Sequence, residues 1–137
     1  MDEPLSIVLF SGTDDKLTAA AVLTAGAAVV GRPVHLFLQY WALDAFRAAR
    51  IGEPHGLAPE AGEAGAAAVA AAAAAGQASW AETLRQAKEL GAVDIQACSL
   101  SMDVLRLKED ELDPLVDGVQ GVATFFANAE EGQLLFI

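Results

Sequence analysis

The chain is poor in sulfur, in positive charge and in long apolar runs. A single cysteine, Cys98, among 137 residues excludes an intramolecular disulfide framework and a zinc site built on thiolates. The two histidines, His35 and His55, show no metal-ligand spacing with it, so no metal and no other cofactor is expected. Only 8 basic residues stand against 19 acidic ones, a net charge of −11. A surface that negative repels phosphate backbones and anionic lipid heads, which argues against nucleic-acid and membrane partners. The strongest membrane candidate, residues 19–30, is broken by Thr24 and Gly26 and falls short of the ~20 residues a span needs. Met1-Asp2-Glu3-Pro4 lacks the basic flank of a signal peptide. The expected setting is a reducing cytoplasm, where a lone thiol stays free.

What is present is enough apolar material for one core. Hydrophobic residues make up 54% of the sequence, mean hydropathy is +0.37, and the length suits a single domain over residues 1–137. The apolar run from Leu5 to Phe10 predicts a central strand, followed by a turn at Ser11-Gly12-Thr13-Asp14. Thr13 or Asp14 can cap an alanine-rich helix that runs to about Val30 and stops at Gly31. Residues 33–39 read as a second strand, and strand, helix and strand make a right-handed βαβ unit.

A short helix begins at Tyr40-Trp41. Residues 52–78 form a Gly- and Ala-rich excursion, partly helical, because an alanine-only helix is marginal without packing partners. Ser79 and Glu82 make a capping box before a helix with Trp80, Leu84 and Ala87 on one face. Residues 92–98 supply a third strand. Ser99 and Ser101 are candidate caps for a short helix after it, Val119 to Ala129 reads as a last helix, and residues 133–137 as a terminal strand. The alternation predicts an α/β fold, a three-layer α/β/α sandwich on a four- or five-stranded, mainly parallel sheet.

Ligands of such sheets bind beyond the carboxyl ends of the strands. That rule gathers Ser11, Gly12 and Asp14, then Tyr40 and Trp41, then Cys98, with Ser101 in the helix that follows. At a strand end and helix start, Cys98 is either a reactive thiolate or a small buried hydrophobe closing the strand. The Ser11–Asp14 turn has neither G-x-G-x-x-G nor a Walker lysine, so it is no phosphate cradle.

Three stretches near the start carry a resemblance: residues 7–12, Asp15-Lys16-Leu17 before the alanine-rich helix, and Val34-His35-Leu36-Phe37 leading into Tyr40-Trp41-Ala42-Leu43. It continues through Ala97-Cys98-Ser99-Leu100-Ser101-Met102-Asp103, Asp117-Gly118-Val119 and Gly121-Val122-Ala123-Thr124. Together they resemble the DsrE/DsrF-like (DsrEFH) sulfur-relay proteins, and among these the single-cysteine, DsrE-like branch described as peroxiredoxin-like. The resemblance covers about residues 5–47 and 80–137. It implies an intracellular sulfur carrier or sulfurtransferase that holds sulfane sulfur as a persulfide on Cys98. It also implies homo-oligomers, trimers or hexamers, and donor or acceptor protein partners. Leu105-Arg106-Leu107 stands where the family pattern leads one to expect a glycine. The alternative is a non-catalytic, oligomeric module for a small ligand or a protein, with Cys98 buried and inert. Self-association is expected in either case, through Val122 to Phe126, Leu134 to Ile137, and the aromatics Tyr40, Trp41 and Phe46.

Overall fold

The computed structural model describes residues 3–137. Strand β1 (Leu5–Leu9) leads into α1 (Asp14–Val29), β2 (Val34–Leu38) and the short α2 (Tyr40–Ala45). After a 3-10 turn at Pro59–Ala61 come α3 (Gly62–Ala74), α4 (Trp80–Leu90), β3 (Val93–Cys98) and α5 (Ser99–Leu105). A second 3-10 turn, Glu109–Glu111, precedes β4 (Gly118–Gln120), α6 (Val122–Asn128) and β5 (Gln133–Phe136). The five strands lie in the order β4-β3-β2-β1-β5, and every pair is parallel. The four- or five-strand expectation is met by five.

Alternation along each strand divides the side chains between two faces. On the first, Leu5, Ile7 and Leu9 of β1, Leu36 and Leu38 of β2, and Ile95 of β3 join one buried cluster with Leu17 and Ala21 of α1 and Trp80 and Leu84 of α4. On the second, Phe37, Cys98 and the α6 residue Phe125 form a separate buried cluster, edged by Val8 and Ala129. Helices thus flank both sides of the sheet.

The local signals explain most of the boundaries. Ser79 Oγ accepts from the Glu82 N–H at 3.2 Å and opens α4, whose buried residues are Trp80, Ala81, Leu84 and Ala87. Gly132 turns the chain into β5 at φ +91°, where a Cβ would meet the Pro4 carbonyl, so only glycine fits. Asp117 pins the entry to β4, accepting from Ile95 N–H at 2.8 Å and from Lys88 Nζ.

Three local expectations fail. The segment read as a helix from Val119 starts with a strand, because Gly118–Gln120 pairs with Gln96–Cys98 and the helix begins only at Val122. A three-residue strand is too short to show periodicity, and its pairing partner is remote in sequence. Neither Ser99 nor Ser101 caps α5; its N-cap is Cys98 and no side chain bonds there. Phe46 contributes nothing to the surface, being wholly buried against Trp80 with ring centroids 5.0 Å apart.

Helix α3 has no buried residue and lies on the surface. No helix among the described residues is long and apolar enough to cross a membrane.

Candidate functional site

The carboxyl rim of the sheet is assembled by close backbone packing. Gly12, after β1, lies against the Trp41 backbone, where a Cβ would sit 2.3 Å from the Trp41 carbonyl oxygen. The turn therefore needs glycine to let the loops after β1 and β2 meet. Ser11 and Thr13 hydroxyls pair at 3.3 Å. Tyr40 follows β2 with φ +42°, a left-handed conformation that strains a bulky residue, and its ring packs 5.5 Å from Phe10 and 5.8 Å from Trp41. Trp41 itself is 56% exposed.

Asp14 is engaged elsewhere on the rim. Its carboxylate accepts from His55 N–H at 2.8 Å and from Trp80 Nε1–H at 3.1 Å, while its own N–H donates to the Gly56 carbonyl. Asp15 accepts from Ala58 N–H at 3.1 Å. The two acids strap residues 55–58 across the start of α1. Burial pulls the Asp15 carboxyl upward, but hydrogen bonds from the Thr13 hydroxyl and the Ala58 and Lys16 backbone outweigh it and hold the group below the ordinary carboxylate range. His55 lies against Trp80, ring centroids 6.0 Å apart, rather than in open solvent.

Cys98 ends β3 and is only 4% exposed. It packs with Phe37 and Phe125, whose rings stack at 4.7 Å and 11°. Phe125 is the one buried residue of α6. In register, Cys98 pairs with Gln120 of β4, a strand too short to show in the sequence pattern. Ser101, in the first turn of α5, is wholly buried and its Oγ has no hydrogen-bond partner; the same is true of Gln120 Oε1. Arg106 closes α5 in the left-handed conformation, φ +55°, which explains why a glycine suits that place. Among the described residues no three His, Cys, Asp or Glu side chains gather to hold a metal ion.

The fold and rim define a small α/β protein with one all-parallel, five-stranded sheet and a lone thiol at the end of its third strand. The chain belongs to the DsrE/DsrF/DrsH-like family, whose profile matches residues 1–60 and 57–137. The match runs through the alanine-rich stretch that the sequence resemblance left out. It is 30% identical to the uncharacterised protein YrkE of Bacillus subtilis (strain 168), over 96% of this chain and 95% of that one. Two solved structures share the fold. One is MTH1491 of Methanobacterium thermoautotrophicum, a protein of unknown function, with a TM-score of 0.61 at 12% identity, covering 99% of this chain and all of the other. The second is the ychN protein of E. coli, with a TM-score of 0.60 at 14% identity, covering 98% and 97%.

Proposed function

We propose that this protein is a cytoplasmic carrier of sulfane sulfur, held as a persulfide on Cys98 and exchanged with donor and acceptor proteins. The observation that carries the reading is the family membership of a chain whose only thiol ends a strand at the carboxyl rim. In the exchange, the Cys98 thiolate attacks the outer sulfur of a donor persulfide. The donor S–S bond breaks, the donor leaves as a thiolate, and a new S–S bond forms on Cys98, with no net oxidation. One cysteine suffices because no internal disulfide has to be resolved. Ser11, Gly12, Tyr40, Trp41 and Ser101 form the rim in this reading, with Asp14 as its anchor.

Self-association accompanies it. All-parallel sheets are ordinarily covered on both faces, and among the described residues the second face has one short helix, α6, over it. Leu134 and Phe136 on that face, with Val122 and Phe126 of α6, are 47–69% exposed. A second copy, building toward a trimer or hexamer, covers such a surface.

The 4% exposure of Cys98 favours a second reading, a ligand- or protein-binding module with an inert thiol. Incubation with inorganic polysulfide separates the two. The carrier gains a single adduct of about 32 Da, removed by reductant, and Cys98→Ser gains none while keeping its fold. A wild type that never takes up sulfur, or a serine variant that still relays it, leaves the module reading standing.

A further inference from the structure

We propose that Gln120 is a positioning residue for the sulfur carried on Cys98, with Ser101 beside it; the assignment rests on the carrier reading above. Cys98 and Gln120 are register partners on adjacent parallel strands, so their side chains leave the same face of the sheet from backbones about 4.8 Å apart. Gln120 Oε1 is closed off from solvent and has no hydrogen-bond partner. Ser101, wholly buried, lies one helical turn past Cys98, and its hydroxyl is equally unpartnered. Buried polar groups are normally satisfied. Of the buried side-chain atoms without a partner, one belongs to the register partner of Cys98 and one to the helix that Cys98 caps, and together they mark a place for a missing partner.

The thiol itself does not fill that place, since neither oxygen is hydrogen-bonded to it. A persulfide reaches further by one S–S bond, about 2.05 Å. The Gln120 amide can accept from a persulfide S–H or, after a half-turn, donate N–H to a persulfide anion, and the Ser101 hydroxyl can do either. A bond to the anion is charge-assisted and therefore the stronger kind. On the apolar side, the stacked Phe37 and Phe125 rings close over the same sulfur. The site has a polar wall for the outer sulfur and an apolar wall against water. During delivery the acceptor thiolate attacks the outer sulfur, the Cys98 S–S bond breaks and the Cys98 thiolate departs; Gln120 orients the sulfur and exchanges no atom.

The test loads wild type, Gln120→Met, Gln120→Glu and Ser101→Ala with inorganic polysulfide. Intact mass then follows loss of the added sulfur to excess glutathione across a pH series. Gln120→Met is expected to lose sulfur about tenfold faster with a displaced pH profile, while its melting temperature and its iodoacetamide labelling as free thiol stay at wild-type values. Gln120→Glu, nearly isosteric, is expected to load about tenfold more slowly because its carboxylate repels the incoming anion, and it decides the matter if the methionine variant does not fold. Ser101→Ala shifts sulfur loss in the same direction by a smaller factor. Glutamine variants that load and hold sulfur as wild type does, with the same pH profile, overturn the assignment and leave the carrier reading intact. A wild type that takes up no sulfur overturns both.

Discussion

On one face of the sheet Leu5, Ile7, Leu9, Leu36, Leu38 and Ile95 disappear beneath α1 and α4. On the other, the register sets Leu134, Ser6, His35 and Asp94 in one row and Phe136, Val8, Phe37 and Gln96 in the next. Apart from Gln133 at the β5 edge, the register partner of Leu5, the first face is aliphatic and saturated. The second mixes hydroxyl, imidazole, carboxylate and amide groups, with His35 Nδ1 3.9 Å from Asp94 Oδ2 and Gln96 Nε2 donating to Asp94 Oδ1 at 2.8 Å. Cys98 belongs to this second face, as does its neighbour Gln120. The difference teaches that stability and chemistry are segregated by strand alternation. One set of residues holds the domain together, and the set between them is left free for polar work.

Substitutions on the two faces sharpen that contrast. Ile95→Ala, in the saturated face, is expected to cost about 2–5 kcal/mol by urea denaturation, from lost transfer energy and a cavity that α1 and α4 cannot close. A cost below about 1 kcal/mol breaks the comparison. Phe125→Ala removes a larger side chain but frees only the seven-residue α6, so the loss is limited to local undocking, about 1–3 kcal/mol. Iodoacetamide labelling of Cys98 should then rise about tenfold or more, and an unchanged rate means that α6 is not what shields the thiol.

Phe136→Glu probes the open part of the second face. Phe136 is 69% exposed, so the monomer's stability should move by no more than about 0.5 kcal/mol. Self-association, followed by sedimentation, should weaken markedly. If assembly survives unchanged, copies meet elsewhere.

The smallest effect is on the strap at the start of α1. The folded Asp15 carboxyl titrates below its unfolded value, so its contribution is fully present above about pH 4 and drains away as pH falls through the lowered folded value. Asp15→Asn should lower the urea midpoint at neutral pH and converge with wild type in acid. A gap that persists in acid assigns the effect to something other than the charge.

Much of this was legible from sequence because it is local. The apolar run at Leu5–Leu9 announces a buried strand, residues 33–39 and 92–98 read as two more, and Ser79 with Glu82 announces the start of α4. The Cys98-x-x-Ser101-Met102 string marks the thiol through the family resemblance. The roles of Asp14 and Gln120 were not legible. Asp14 has the sequence context of a helix cap, yet its carboxylate is spent on His55 and Trp80, partners 41 and 66 residues away. Gln120 sits in a three-residue strand whose only signature is its pairing.

The sequence by itself determined most of the alternation of strands and helices, the net acidic balance and the presence of one thiol, since propensity, charge and composition act over a few neighbouring residues. Tertiary structure alone decided the strand order, which face each strand residue serves and how deeply Cys98 is covered. Those depend on register between segments far apart in the chain, where a slip of one residue would exchange every inward side chain for an outward one. The same dependence puts Gln120 beside Cys98 and Phe125 over it, an arrangement no stretch of the chain states on its own.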